Sequence, residues 1–206
     1  MKAIDHILLG YYFAMKYGLE RGEKTVFLLG SIAPDLNPFT YLTASRNHLL
    51  RGHSYTFKKK KMAKLFDGGR KHTLFWWYRV GRMCHYLTDS FTAAHDEKRK
   101  MSLPSHKAYE HSLHRRFPQI LHIHIRRSSR KKPAFPEKPS TRIAALRKQY
   151  EAAEQSVETD GYMILAAVES VLDVLTAPAE TQKKIRRSCI FPRAEAHTIP
   201  TRIKKR

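Results

Sequence analysis

The stretch that decides the fold runs from residue 73 to residue 94 and reads TLFWWYRVGRMCHYLTDSFTAA. Its apolar residues Trp76, Val80, Met83 and Leu87 recur every three or four positions, which is the period of one face of an α-helix. The segments on either side repeat this spacing, and almost none of the chain alternates as a strand does. The sequence therefore predicts an all-α fold, with this helix inside a single multi-helix domain.

Further helices are predicted on both sides of this stretch. They cover residues 4–20, 22–30, 105–117 and 141–177. Gly161 is expected to divide the last of these, and residues 31–38 are expected to form a loop because they contain Pro34 and Pro38. Four parts of the chain follow from this pattern and from the basic composition after residue 125: a core at 1–125, a basic linker or surface loop at 126–142, C-terminal helices packed on the core at 143–178, and a basic tail at 179–206.

The composition favours anionic partners. Lys and Arg number 39 against 18 Asp and Glu, which gives a net charge of +21. Such a charge suits phosphate esters, nucleic acid or an anionic membrane surface, without choosing among them. No apolar run approaches the roughly 20 residues that cross a bilayer, and the first residues do not resemble a secretory signal. Cys84 and Cys189 form neither a CxxC pair nor a disulfide framework. Together, these observations lead us to expect a cytoplasmic protein with reduced thiols.

Two helices carry the same pairing of a histidine with a carboxylate. His85 and Asp89 lie four residues apart on the first helix, and His106 and Glu110 repeat this spacing on the next one. His95 lies between the two pairs. Residues four apart share one face of a helix, and zinc binds imidazole nitrogen and carboxylate oxygen. A single pair is more often a surface contact, but two pairs around a third histidine predict a site for more than one metal ion.

Taken in order, these residues resemble the zinc-dependent phospholipase C family, which is related to a class of single-strand-specific zinc nucleases. The resemblance covers roughly residues 6–110. It rests on His6, Asp35 in Ala33-Pro34-Asp35, His53 in Arg51-Gly52-His53, the run His85-x3-Asp89-x5-His95, and His106-x3-Glu110.

The resemblance implies that residues 1–125 form a zinc-binding catalytic core with a ligand set for two or three zinc ions. One ion takes His53, His85 and Asp89, with Asp35 beside it. A second takes His95, His106 and Glu110. A third shares Asp89 and uses His6. In secreted relatives this third ion also binds the amine and carbonyl of an N-terminal tryptophan. Here either Met1 and its neighbours supply those ligands, or the site holds two ions.

The resemblance also implies an activity, namely hydrolysis of a phosphodiester by water that zinc activates. Asp35 either orients or deprotonates that water or serves as a plain ligand. The implied substrate is an anionic phosphate ester, with phospholipid at an anionic membrane surface as one candidate. A nuclease or nucleotide phosphohydrolase on the same scaffold is an alternative. Another is a non-catalytic, zinc-stabilised basic protein that binds nucleic acid or anionic lipid; closed, fully ligated zinc would mark that case.

Overall fold

The computed structural model describes residues 1–36, 55–68, 71, 73–96, 101–128, 137–178 and 180–182 of the chain. Regular structure in these residues is helical without any strand, which confirms the all-α prediction. The elements in chain order are α1 (Ala3–Lys16), α2 (Arg21–Leu36), α3 (Tyr55–Phe66), α4 (Leu74–Asp89), a 3-10 turn (Ala93–His95), α5 (Leu103–Ser128), α6 (Pro139–Ala152) and α7 (Val157–Leu175).

Helix α4 lies at the centre of the fold. Its N-terminus is capped by Thr73, whose hydroxyl oxygen accepts a hydrogen bond from a backbone N–H of the first turn at 3.2 Å. Val80 and Leu87 are fully buried, and α2, α3 and α7 all pack against this helix. Because α4 is covered on several sides, the polar residues His85 and Asp89 of its last turn are buried inside the protein.

Helices α2 and α4 touch backbone to backbone through two glycines. A Cβ atom on Gly30 would lie 2.2 Å from the carbonyl oxygen of Tyr78, and one on Gly81 would lie 2.2 Å from the carbonyl oxygen of Phe27. No side chain larger than hydrogen fits at either position without moving a helix. This contact places the last turn of α2 directly beside the last turn of α4.

The loop prediction for residues 31–38 is wrong over residues 31–36, because α2 continues to Leu36. Pro34 lies inside the last turn of the helix, where it removes one backbone hydrogen bond. Both Ser31 and Pro34 are buried, and the packing of this turn against α4 outweighs the loss of that bond. Asp35 therefore projects from a helix rather than from a loop.

Helix α1 is shorter than predicted and ends at Lys16 rather than at residue 20. The cause is Gly18, which has a φ of 59°. The Leu19 N–H donates to the carbonyl of Ala14 at 2.9 Å, and the Gly18 N–H donates to the carbonyl of Met15 at 3.2 Å. These two bonds are those of a Schellman cap, which ends a helix at a residue of left-handed conformation.

Helix α5 is longer than predicted, since it passes through Pro118 and reaches Ser128. Four apolar side chains around this proline are buried at helical spacing, and their burial outweighs the roughly 3 kcal/mol that a proline costs inside a helix. They are Leu113, Phe117, Ile120 and Leu121.

The predicted helix at 141–177 is divided at residues 153–156, not at Gly161. Ser156 starts α7, because its hydroxyl oxygen accepts a hydrogen bond from the Thr159 N–H at 3.0 Å. Gly161 instead lies inside α7, where a Cβ atom would come within 2.7 Å of the Ile120 side chain. Helix α3 was not predicted; the sequence of 40–72 is polar and shows no clear apolar face.

The division of the chain at residues 125, 142 and 178 stays a prediction. Helix α5 enters the predicted linker and α6 begins within it. None of the helices in the described ranges combines the length and apolar character that crossing a membrane requires.

Candidate metal centre

The Asp89 carboxylate is the centre of a buried cluster of histidines. Its Oδ1 atom lies 3.4 Å from Nε2 of His6, and its Oδ2 atom lies 3.3 Å from Nε2 of His85 and 3.8 Å from Nε2 of His95. Asp35 approaches from α2, with Oδ1 3.5 Å from the same His85 nitrogen. The His6 and His85 rings stack with their centroids 4.0 Å apart. Side chains from α1, α2, α4 and the 3-10 turn therefore meet at one point.

Helix α5 and the amino group of Met1 extend this cluster. The Met1 amine donates a hydrogen bond to Asp89 Oδ1 at 3.1 Å and lies 3.4 Å from Glu110 Oε1. That same Glu110 oxygen is 3.4 Å from Nε2 of His106. The His95 and His106 rings meet edge to face, with centroids 5.2 Å apart. The two histidine–carboxylate pairs of the sequence thus form one continuous site.

Burial and neighbouring charges set the protonation of the site. Burial, helped by the nearby His85, lowers the pKa of His6 to about 3, so its ring is neutral. Burial alone would raise the pKa of Glu110, but the hydrogen bond with His106 and the charge of the Met1 amine lower it to about 2. Burial opposes the charged Met1 amine, yet Asp89 and Glu110 raise its pKa above 8.0.

Hydrogen bonds at Nδ1 orient His85 and His95. The Nδ1 atom of His85 donates to the Ser31 carbonyl oxygen at 2.8 Å, since a carbonyl only accepts. The Thr92 hydroxyl donates its proton to the Asp89 carbonyl at 2.7 Å and therefore accepts from Nδ1 of His95 at 2.9 Å. In both rings Nδ1 carries a proton, and Nε2 faces the Asp89 carboxylate.

His6 is held in the same way. The Thr88 hydroxyl donates to the His85 carbonyl at 2.7 Å, which leaves its oxygen to accept from Nδ1 of His6 at 3.2 Å. The buried Nε2 atom of His6 has no hydrogen-bond partner, although it lies 3.4 Å from a carboxylate oxygen. A lone pair that faces a carboxylate is repulsive unless a cation lies between them.

The donor set therefore fits zinc. Three imidazole Nε2 atoms face carboxylate oxygens inside a buried site, and zinc is bound by these two kinds of atom. Acceptors that hold Nδ1–H of a ligating histidine are the usual second layer of such a site. Among the described residues, one ligand atom each from His6, Asp35 and His85 fall within 4.8 Å of one another.

The structure brings together seven of the eight side chains that the sequence singles out. They are His6, Asp35, His85, Asp89, His95, His106 and Glu110. The eighth, His53, lies outside the described residues. Their assignment as metal ligands stays a prediction, as does the role of Asp35.

Sequence reasoning missed the groups that orient the histidines. Thr88 and Thr92 flank Asp89 within the histidine motif, so their spacing offered a usable signal. The Ser31 carbonyl gave none, because any residue has a carbonyl and its position depends on how α2 packs against α4. For Met1, the sequence left open whether it contributes to the site, and the structure places its amine against Asp89 and Glu110.

Comparison of the sequence with known protein families identifies one family that this chain matches. Residues 6–157 match the family described as Zinc dependent phospholipase C. No curated protein and no solved structure matches the chain. The matched residues span most of the chain and include every ligand that the sequence predicts, from His6 to Glu110. The chain belongs to the zinc dependent phospholipase C family.

Proposed function

We propose that this protein hydrolyses a phosphodiester with the help of two or three zinc ions. One observation carries the proposal: Nε2 atoms of three histidines face the buried Asp89 carboxylate. Imidazole nitrogen and carboxylate oxygen, brought together in this way, are the atoms that zinc binds. The match of residues 6–157 to the zinc dependent phospholipase C family supports the same proposal.

The ligands divide around Asp89. By the resemblance, His85, Asp89 and His53 would hold one ion, with Asp35 beside it, and His95, His106 and Glu110 would hold a second. Asp89 and His6 would hold a third. The Met1 amine, which lies against Asp89 and Glu110, would be within reach of this third ion once it has lost its proton. Bound zinc supplies hydroxide from water near neutral pH and offsets the charge of the phosphate.

We assign Asp35 as the group that takes a proton from the attacking water. Its carboxylate is 18% exposed, whereas that of Asp89 is 2% exposed. A base must reach a water molecule in the substrate pocket, and Asp35 is open enough to do so. Asp89 is buried among the histidines and acts as the shared ligand.

Substrate panels and chelator test this activity. The purified protein is analysed for metal and assayed on phospholipid vesicles, a soluble aryl phosphodiester, single-stranded nucleic acid and a phosphomonoester. We expect diester hydrolysis that a chelator abolishes and zinc restores. A metal-free protein that shows no activity on any diester after zinc is added would refute the proposal. Preference for nucleic acid would favour the nuclease alternative, for which the net charge of +21 is the supporting observation.

Asp35→Asn separates the two roles of this residue. If Asp35 is the base, the variant keeps its zinc and loses about 100-fold or more in kcat. If it is mainly a ligand, zinc is lost as well. Asp67→Asn is the matched control, because Asp67 is a carboxylate outside the site that accepts hydrogen bonds from the Ser140 backbone and hydroxyl at 3.0 and 2.5 Å.

We further propose that the favoured substrate is a phospholipid in an anionic bilayer, which the protein meets with helix α1. The outward face of α1 is almost wholly apolar: Ile4, Tyr11 and Met15 are 54%, 51% and 55% exposed, and Ile7 and Leu8 are 36% exposed. The acid of this helix, Asp5, is buried and bonded to His114. Monomeric soluble proteins rarely expose large contiguous apolar surfaces, and those that they do expose are often interaction sites.

Basic side chains border this stripe. The Lys24 amine lies 5.7 Å from the centre of the Tyr11 ring and 3.6 Å from the sulfur of Met15, and Lys2 lies at the other end of the helix. An apolar face bordered by lysines is typical of helices that lie in the interface of an anionic membrane.

Vesicle binding tests the surface without depending on hydrolysis. Ile4→Gln/Met15→Gln should bind vesicles containing phosphatidylserine about tenfold more weakly, because two apolar side chains no longer enter the bilayer. Phe75→Gln is the control, since Phe75 is a 70% exposed apolar residue on α4. Unchanged binding of the double variant, or equal weakening in the control, would contradict the surface. A dimer that the double variant disrupts would show instead that a second copy covers α1.

A further inference from the structure

Asp160 is a buried carboxylate in the first turn of α7, with 0% exposure. Its Oδ2 atom accepts hydrogen bonds from the Ala93 backbone N–H at 2.9 Å and from the Tyr109 hydroxyl, and its Oδ1 atom accepts from the Tyr150 hydroxyl at 2.8 Å. Burial of a carboxylate is tolerated only when its oxygens are supplied with hydrogen bonds. Asp160 meets this condition by drawing donors from three separate segments.

Two of these three donors are next to candidate zinc ligands. Ala93 opens the 3-10 turn that ends at His95, and Tyr109 immediately precedes Glu110 on α5. The third donor, Tyr150, is on α6, which carries no candidate ligand. The same Oδ2 atom thus holds together the backbone that presents His95 and the helix that presents Glu110.

A second contact holds the same turn from outside. Arg147 of α6 donates a hydrogen bond from Nη1 to the Ser90 carbonyl, and its guanidinium lies 5.4 Å from the Phe91 ring and 5.3 Å from the Tyr150 ring. The segment from Ser90 to His95 follows α4 and contains a 3-10 turn but no α-helix. Its conformation therefore depends on groups supplied by α6 and α7.

We infer that Asp160 is a positioning residue for the zinc ion that His95, His106 and Glu110 bind. The inference rests on the proposed function in that it requires zinc at these residues. The carboxylate keeps the turn and α5 at a fixed separation, so that the ligands need not be ordered when the ion binds. Removal of such supporting hydrogen bonds typically weakens metal binding by about 10- to 100-fold. The family match ends at residue 157, before Asp160. If Asp160 positions this zinc ion, α7 belongs to the functional unit even though nearly all of it lies beyond the match.

A pair of tyrosine variants separates positioning from plain stability. Tyr109→Phe and Tyr150→Phe each remove one hydroxyl that donates to Asp160, and both should lower the stability of the metal-free protein by similar amounts. Zinc affinities and stoichiometry are measured by competition with a chromophoric chelator, under conditions in which all variants are folded. We expect Tyr109→Phe to weaken one zinc about tenfold and Tyr150→Phe to change every affinity by less than about threefold.

Asp160→Asn should weaken the same zinc at least as much as Tyr109→Phe does, and the tyrosine pair decides the matter if this variant does not fold. A cycle with Glu110→Gln identifies the ion: once Glu110 is changed, Tyr109→Phe should have little further effect. Equal zinc affinities in Tyr109→Phe and wild type, equal losses in the two tyrosine variants, or a wild type with no zinc at this site would overturn the inference. Wild-type protein that binds zinc as expected but cleaves no diester would refute the proposed activity alone.

Discussion

Replacing Asp89 by asparagine should change the metal-free protein very little, although Asp89 is the centre of the site. The substitution keeps the size of the side chain and removes one negative charge. In the metal-free protein this charge lies 3.1 Å from the Met1 amine. At an effective dielectric constant of about 20, the lost attraction is about 5 kcal/mol.

The same substitution relieves two repulsions. Oxygens of Asp35 and Asp89 lie 3.5 and 3.3 Å from one nitrogen of His85, and oxygens of Glu110 and Asp89 lie 3.4 and 3.1 Å from the Met1 nitrogen. Each pair of carboxylates is therefore no more than about 7 Å apart, and each repulsion amounts to at least roughly 2.4 kcal/mol at the same dielectric constant. Attraction and repulsion nearly cancel, so the free energy of unfolding should change by about 1 kcal/mol or less.

In the presence of zinc the balance is different. The cations screen Asp35 and Glu110, and an amide offers one acceptor oxygen where the carboxylate offers two. Asp89→Asn should lose at least one zinc. A zinc at 1,000 times its Kd stabilises the fold by about 4 kcal/mol, and a chain of this size gains roughly 2–4 °C in Tm per kcal/mol. The rise in Tm on adding zinc should therefore shrink by about 8–16 °C.

Thermal unfolding with chelator and with zinc, together with elemental analysis, measures both halves of this prediction. Asp67→Asn is again the matched control and should keep the wild-type response to zinc. The reasoning is refuted if Asp89→Asn retains its full zinc content and the full rise in Tm. It is also refuted if the metal-free variant melts about 10 °C or more below metal-free wild type, because the cancellation of charges would then be wrong.

Three further predictions concern residues away from Asp89. Burial alone would raise the pKa of Glu169, but hydrogen bonds with His124 and Lys16 lower it from 4.5 to about 2. Its stabilising effect is present above pH 4.5 and lost as the pH falls toward 2, so metal-free Glu169→Gln should lack this part of the acid unfolding profile measured by circular dichroism. Deletion of the chain after Ala177 should leave the zinc content unchanged in elemental analysis, since no candidate ligand lies there; loss of zinc would place part of the site in that segment. Lys58→Ala should raise KM for anionic substrates and reduce its dependence on salt, with kcat unchanged in steady-state assays; a fall in kcat alone would contradict a role in binding.

The histidine–carboxylate pairs were predictable because their spacing is a local property of a helix. His85 and Asp89 are four positions apart, as are His106 and Glu110, and the structure places the paired atoms 3.3 and 3.4 Å apart. The spacing of residues 73–94 likewise predicted α4, although this helix ends earlier than predicted, at Asp89. These features depend on the period of the helix alone, which the sequence displays directly.

The features that escaped prediction depend on contacts between distant residues. The last turn of α2 stays helical through Pro34 because it is buried against α4, and α5 passes Pro118 for the same kind of reason. Nothing in the sequence marks Asp160, and only the packing of α7 brings it to Ala93. Local propensity is a weak guide wherever such packing decides the outcome.

The glycine contact between α2 and α4 allows the geometry of the site and the packing of the apolar core to vary separately. Because Gly30 and Gly81 bring backbone against backbone, no large core side chain lies between the two helices at that point. Substitutions elsewhere in the apolar interior should accordingly change the distance from Asp35 to His85 very little. Conversely, a single methyl group at either glycine should push the two helices apart and separate these two side chains of the proposed metal centre.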